Sequence, residues 1–269
     1  MQVAQKVFVV TGGGNGIGRD VVLQLLEGGA SVAAVDLRPE FLEETRRLAG
    51  DDATRLTAHP VDVADRADVE ALAADVVTAH GHVDGLLNVA GIIQRFERFT
   101  DLSYEVMESV VDVNFWGVVH TCKAFLPHLL ERPEARLVNV SSMGAFVSVP
   151  GQAVYGASKA AVKLLTEGLY AELRDTGVRV TAVYPGAVDT DIAAHSGATI
   201  PGRDAASSTT AQRMTTSADA ARQIVKALEE GPYRVRIGSD ARMLDRLSRL
   251  VPQRATDLVA RRMASLLGG

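Results

Sequence analysis

The segment Thr11-Gly12-Gly13-Gly14-Asn15-Gly16-Ile17-Gly18 stands between a short apolar run, Lys6 to Val10, and an amphipathic stretch that begins at Ile17 and reaches Glu27. A turn this poor in side chains lets the backbone approach a pyrophosphate closely. The helix that follows offers N–H groups with no intrahelical partner. The start of the chain is thereby constrained to a strand–turn–helix unit of dinucleotide-binding type. Its spacing departs from the G-x-G-x-x-G fingerprint, because Ile17 holds the place of the last glycine.

The same alternation continues. Short apolar runs at Ser31–Val35, Leu56–Val61, Val83–Ala90, Arg136–Val140 and Val178–Tyr184 are separated by helical patterns at Pro39 onward, Ala67–Ala79, Tyr104–Leu130 and Val154–Leu173. A short run at Val235–Ile237 is a candidate seventh strand. Strand–helix repeats imply parallel pairing through right-handed crossovers, and continuous apolar runs such as Val7-Phe8-Val9-Val10 suit strands covered on both faces. The expected fold is α/β: a doubly wound, Rossmann-type three-layer sandwich with a six- or seven-stranded parallel sheet. No Pro- or Ser-rich linker divides the chain, so residues 1–269 read as one domain. Residues 187–216, rich in Gly, Ser, Thr and Ala, follow a strand end and read as a substrate lid.

With 47% hydrophobic and 23% charged residues, the chain resembles an ordinary soluble globular protein. Only 5% of it is aromatic and its net charge is −5, which argues against a nucleic-acid partner. A single cysteine, Cys122, excludes an intrachain disulfide and a cysteine-rich metal site, and reads as a small buried helix residue. No metal is expected, and His80-Gly81-His82 reads as a helix end. The opening residues lack the pattern of a signal peptide and no apolar run is long enough to span a bilayer, so a cytoplasmic setting is expected.

Candidate chemistry lies in the middle of the chain. Tyr155 and Lys159, four residues apart on a helical pattern, share a face. An ammonium beside a phenol favours the phenolate and lowers a pKa that is otherwise about 10, so the pair can donate and accept a proton. Ser142 follows the strand ending at Val140, and Asn114 sits in Val113-Asn114-Phe115. Asp36, at the end of the second strand, can accept hydrogen bonds from ribose hydroxyls or serve as a helix N-cap before Pro39.

Taken in order, these segments resemble the short-chain dehydrogenase/reductase family from about Lys6 to Thr190. Thr11–Gly18 is similar to the family's T-G-x-x-x-G-x-G turn. Asn88-Val89-Ala90-Gly91 is similar to its N-N-A-G strand end, with Val89 in place of the second Asn. Tyr155 to Lys159 matches Y-x-x-x-K, Ser142 falls at the catalytic serine, and Pro185-Gly186-Ala187-Val188-Asp189-Thr190 resembles the segment that holds a nicotinamide carboxamide. The resemblance implies an NAD(P)-dependent alcohol dehydrogenase or ketone reductase. Tyr155 would be the general acid/base, with Lys159 lowering its pKa and binding the nicotinamide ribose. Ser142 would hold the substrate oxygen, and Asn114 a proton-relay water. Cofactor contacts are implied for Gly12, Gly14, Asn15, Gly16, Ile17, Gly18, Asp36, Asp62, Val63, Asn88, Ala90, Gly91, Pro185, Gly186, Val188 and Thr190. Asp36, with neutral Asn15, favours NAD over NADP. The resemblance also implies a homodimer or homotetramer built through the helices that carry Asn114 and Tyr155.

Other readings compete. A cofactor-binding regulatory protein without turnover would not need the Asn–Ser–Tyr–Lys set. Gly156-Ala157-Ser158-Lys159-Ala160 partly imitates the nucleophile elbow of serine hydrolases, but lacks its final glycine. The substrate reads as a small, apolar alcohol or ketone, from Phe96 and Phe99 and from Ile192, Ile200 and Met214 of the lid, where His195 reads as an exposed loop residue. From Pro232 to Gly269 eight arginines face three aspartates, a net +5, with Leu244, Leu247 and Leu250 at helical spacing. This basic segment, 239–267, reads as helices packed on the domain or another subunit, with peripheral contact to an anionic membrane as the competing reading.

Overall fold

A computed structural model of the chain describes residues 1–189 and 214–264. Thr190, Ile192, His195 and Ile200 therefore lie outside the described residues, as does most of the lid. The first half is β1 (Val7–Thr11), α1 (Gly16–Glu27), β2 (Ser31–Asp36), α2 (Pro39–Ala49), β3 (Leu56–Pro60), α3 (Arg66–His80) and β4 (Gly85–Asn88). The second is α4 (Tyr104–Val111), α5 (Gly117–Leu130), β5 (Ala135–Val140), α6 (Ala153–Leu173), β6 (Val178–Pro185), β7 (Val188–Asp189), β8 (Thr215–Thr216), α7 (Ser217–Glu230), β9 (Arg234–Ile237), α8 (Ser239–Leu250) and α9 (Pro252–Arg262). Seven strands form one parallel sheet in the order β3-β2-β1-β4-β5-β6-β9, so the short run near Val235 is its seventh strand.

The strands are apolar throughout because both faces are covered. Phe8, Val10, Val32 and Ala34 face one way and pack with Val21, Leu25 and Ile224 of α1 and α7. Val9, Ala33, Val35 and Leu86 face the other way, against α3, α5 and α6 through Leu72, Val76, Phe125 and Val162. The order turns between β1 and β4, which places a crevice beyond the carboxyl ends of these strands, where open α/β sheets take their ligands.

Three local features depart from the periodicities. The helical pattern from Tyr104 to Leu130 is broken by a π turn, Asp112–Trp116, which contains Asn114. Arg38 occupies the N-cap position of α2, not Asp36, and makes no side-chain capping bond. Near the two ends of residues 187–216, Val188–Asp189 pairs in parallel with Thr215–Thr216, so the ends of that segment are joined. As read from the sequence, α3 ends at His80 with Gly81 in the left-handed region (φ 80°) as its cap. No helix among the described residues is long and apolar enough to cross a membrane.

The basic C-terminal segment folds onto the domain. Leu244 of α8 and Ala255 and Val259 of α9 bury against Val147, with Met143, Phe146 and Leu247 around them. Leu250 stays 80% exposed at the corner between the two helices.

Candidate active site

A cleft of about 330 Å³ opens at the carboxyl ends of the central strands. Of the residues singled out from the sequence, Gly12, Asn15, Gly16, Ile17, Gly18, Asp36, Asp62, Val63, Ala90, Gly91, Ser142, Tyr155, Lys159, Pro185, Gly186 and Val188 all line it. Gly14 and Asn114 stand immediately behind its wall.

The glycine turn is shaped by close approach. A Cβ on Gly12 (φ +69°) would lie 2.9 Å from Ala90 Cα, and one on Gly18 would lie 2.0 Å from the Gly12 carbonyl oxygen. Glycine alone leaves this backbone cradle open. Thr11 Oγ1 fastens it to the β4 end by accepting from Val89 N (3.1 Å) and Ala90 N (3.2 Å). Asn15 caps α1, its Oδ1 accepting from Gly16 N at 2.7 Å, and the first turn of α1 carries no acidic residue. The helix dipole therefore faces the cleft without a resident anion.

Asp36 is held from two sides, its Oδ2 accepting from Gly14 N and its Oδ1 from Arg38 N, both at 3.1 Å. The carboxylate cannot swing away without orphaning two amides. Arg19 donates to Thr45 Oγ1 (3.2 Å), which itself bonds the carbonyls of Gly13 and Gly14. Arg38 lies over the Phe41 ring, 4.9 Å from its centroid, and lines the cleft beside Asp36 rather than pointing away.

At the other end Ser142, Tyr155, Lys159 and Asn114 converge. Ser142 hydrogen-bonds the Tyr155 hydroxyl, and its own Oγ accepts from Gly144 N at 3.0 Å. Lys159, 3% exposed, donates through Nζ to the Val140 carbonyl at 3.2 Å. Asn114 Nδ2 donates to Ile92 O (2.9 Å) and to Ser158 Oγ (3.1 Å), while its Oδ1 accepts from Ile92 N (2.9 Å). A methyl on Gly91 would stand 3.0 Å from both Asn114 Oδ1 and Lys159 Nζ, so the two groups flank that glycine.

The Tyr155 hydroxyl is raised above the ordinary phenol value because burial outweighs the bond from Ser142. The same burial brings Lys159 down to about 8. At about 8, Lys159 still carries its charge at neutral pH.

Asn88 does not line the cleft. Its side chain turns beneath the cleft, donating to Asn139 Oδ1 (2.9 Å) and accepting from Thr121 Oγ1 (2.8 Å), so it ties β4 to β5 and α5. Ser158 is buried within α6, donating to the Tyr155 carbonyl at 2.8 Å, and does not stand on a strand-to-helix elbow. Cys122 is buried and its thiol is pushed up to about 12, as suits an inert core residue.

Two residues that sequence reasoning missed hold the walls. Asp240, in the first turn of α8, accepts from Ala187 N at 2.7 Å and from Ala241 N at 2.9 Å. Gln94, after β4, accepts from Tyr155 N at 2.9 Å. Neither belongs to a motif, and each acts over a long sequence separation, so no local signal marks them.

The sequence profile of the short chain dehydrogenases matches residues 6–201. SadH of Mycobacterium tuberculosis, named as an oxidoreductase, is 37% identical over 265 residues, covering 95% of this chain and 94% of that protein. An uncharacterized oxidoreductase of Staphylococcus aureus strain USA300 is 35% identical over 192 residues, 71% of this chain and 82% of that one. Among solved structures, a short chain dehydrogenase/reductase from Burkholderia phymatum in complex with NAD superposes with TM-score 0.82 at 27% identity, covering 92% of this chain and 94% of that one. A 3-ketoacyl-(acyl-carrier-protein) reductase from Brucella melitensis complexed with NADH gives TM-score 0.77 at 27% identity, over 89% and 98% of the two chains.

Proposed function

The chain belongs to the short-chain dehydrogenase/reductase family and is an oxidoreductase, and from that premise we propose that it interconverts a small apolar alcohol and its ketone with NAD(H), using Tyr155 as general acid/base. One observation carries the reading: Ser142, Tyr155, Lys159 and Asn114 gather at one end of a cleft whose other end is the glycine turn and Asp36.

The cofactor suits the residues present. The cradle that a Cβ at Gly12 or Gly18 would fill, together with Gly14, Asn15, Gly16 and Ile17 at the start of α1, would take the pyrophosphate. Asp36 would take the adenosine ribose, and Asp62 and Val63 would flank the adenine. Ala90 and Gly91 would form the floor of the cleft. Tyr155 and Lys159 would hold the nicotinamide ribose, and Pro185, Gly186, Val188 and Thr190 the carboxamide. When bound, the nicotinamide exchanges a hydride with the substrate carbon. Ser142 Oγ orients the substrate oxygen while the Tyr155 hydroxyl gives or takes its proton. Lys159 stands ready to re-supply that proton, with Asn114 Oδ1 beside it to hold a relay water. Ile92, Val113, Val140 and Val188 line the cleft with apolar surface that excludes other water and fits an apolar substrate.

A panel of secondary alcohols and ketones, followed by the absorbance of the reduced cofactor, tests the activity. With an active substrate, Tyr155→Phe is expected to lower turnover by about 10²–10⁴-fold and to leave cofactor affinity largely intact. Turnover within about twofold of wild type, a barrier change of only ~0.4 kcal/mol, would overturn the mechanism.

Cofactor choice follows from Asp36. A carboxylate pinned by two amides accepts from a 2′-hydroxyl but repels a 2′-phosphate, by up to ~4 kcal/mol at 4 Å and an effective dielectric of 20. Higher kcat/KM with NAD than with NADP is expected, with the preference relaxed or reversed in Asp36→Ala. Equal or better use of NADP by the unmodified protein would assign control to Arg38 and Arg19 instead. Assembly as a homodimer or homotetramer is supported by the exposed Trp116, Leu130 and Leu164 on and beside α5 and α6, and light scattering of the purified protein tests it.

A further inference from the structure

Gln94 lies in the loop between β4 and α4, yet it is only 2% exposed. Its Oε1 accepts from Tyr155 N at 2.9 Å and its Nε2 donates to the Gly151 carbonyl at 3.1 Å. Gln152 returns the contact, donating through Nε2 to the Gln94 carbonyl at 2.7 Å. The two amides form a reciprocal clasp between the loop after β4 and the turn that leads into α6.

The position of Tyr155 makes this clasp matter. Helix α6 begins at Ala153, so Tyr155 is in its first turn, where backbone N–H groups have no carbonyl within the helix. Gln152, at the N-cap, supplies no side-chain bond to that turn. Terminal turns fray unless something outside the ladder holds them. Lys159 sits a full turn deeper, where the ladder itself holds the backbone. Of the two members of the pair, Tyr155 is the one whose placement depends on an external acceptor.

We propose that Gln94 is a positioning residue for Tyr155: it caps the first turn of α6 from another loop and so keeps the tyrosine hydroxyl against Ser142. The proposal rests on the reading of Tyr155 as the acid/base. The same loop is sewn at Ile92 to both ends of the Asn114 amide, two residues before Gln94. Through this one loop the π turn that carries Asn114 and the helix start that carries Tyr155 are held in fixed relation.

The test uses the full chain and a substrate found active. Gln94→Ala removes the cap and should lower kcat about 10- to 100-fold, the cost of misplacing a reacting group by an ångström or less. The dissociation constant for NADH, read by fluorescence, should stay within about twofold of wild type, a difference of only ~0.4 kcal/mol. Gln94→Glu adds a readout that packing alone would not move. Its carboxylate still accepts from Tyr155 N, but it donates to Gly151 O only when protonated. What the proposal requires is the acceptor for Tyr155 N, so kcat of Gln94→Glu should stay within about fivefold of wild type, well above that of Gln94→Ala. Unchanged kcat in Gln94→Ala overturns the proposal. So does parallel loss of kcat and NADH affinity, which would make the residue a general support of the fold. If Gln94→Ala does not fold, Gln94→Glu decides, and a kcat as low as that expected for Gln94→Ala counts against the proposal. Turnover retained by Tyr155→Phe would instead sink the acid/base reading itself. An inactive Tyr155→Phe beside wild-type-like Gln94 variants would sink only the role of Gln94.

Discussion

Lys159 is a residue at which burial and chemistry oppose each other. Desolvation lowers it from 10.5 to about 8. A lysine depressed in the folded state lets the unfolded chain bind more protons between those two values, so stability rises with pH across that window and is lowest below it. Lys159→Met should therefore melt higher than wild type at pH 7, by about 2–4 °C for each kcal/mol recovered, and show a flatter melting profile from pH 8 to 10. It should also lose turnover and cofactor affinity. A lower melting temperature for Lys159→Met would mean that the bond to the Val140 carbonyl outweighs the cost of burying the charge. At this scale the sequence was most informative where spacing alone decides neighbourhood. Tyr155 and Lys159 share a face because they are four apart, and Asp36 meets the glycine turn because parallel strands end together. It was least informative about direction. Nothing local to Asn88 tells that its amide turns to Asn139 and Thr121, and nothing local to Gln94 or Asp240 tells which backbone amide each one serves.

The elements follow their periodicities except where a helix changes its winding. The apolar pattern from Tyr104 to Leu130 runs on without a break, yet the backbone inserts a π turn at Asp112–Trp116. Such a turn shifts the phase of the side chains that follow and is common at functional sites. Here Asn114 bonds both the N–H and the carbonyl of Ile92. Hydrophobic periodicity does not register one extra residue in a buried helix. The β7–β8 pair was illegible for another reason, since two residues a side are too few to alternate. Asp240 shows how an element end can serve a neighbour. Its carboxylate caps the start of α8 and accepts from Ala187 N, and a Cβ on Gly186 would lie within 2.1 Å of it. Asp240→Ala should leave the exposed Ala187 amide to solvent, at a net cost of ~0.5–1.5 kcal/mol, and loosen the wall formed by Pro185, Gly186 and Val188. NADH fluorescence titration should show affinity several-fold weaker, with the far-ultraviolet dichroism unchanged. Unaltered affinity would show that this wall keeps its shape without the carboxylate.

The molecule divides its labour between the two ends of its sheet. At the carboxyl ends lies the cleft. At the opposite edge Asp84, fully buried, accepts from Val7 N (3.0 Å) and faces Arg132 (3.0 Å), His82 (3.0 Å) and Lys6 (3.6 Å). Asp84→Ala should cost ~1–3 kcal/mol in urea titration, because the buried Val7 amide loses its acceptor. The kcat of the molecules that remain folded should be unchanged, and a large fall in kcat would show that the two ends are mechanically coupled. The fold class was legible at this scale because strand–helix alternation leaves few topologies open. The fate of the +5 tail was not, since a basic amphipathic helix has the same pattern whether it covers protein or lipid. Among the described residues, Leu244, Ala255 and Val259 turn toward protein and cover the loop that begins at Met143, directly after Ser142. That cover is made last. Synthesis runs from the amino to the carboxyl end, so Asn114, Ser142, Tyr155 and Lys159 emerge from the ribosome well before the helices that steady their surroundings. A chain grown only through Pro185 would hold these four groups, but β6 would lack β9 beside it and the Met143 loop would lack its cover. The packing around the proposed site is completed only by α8 and α9.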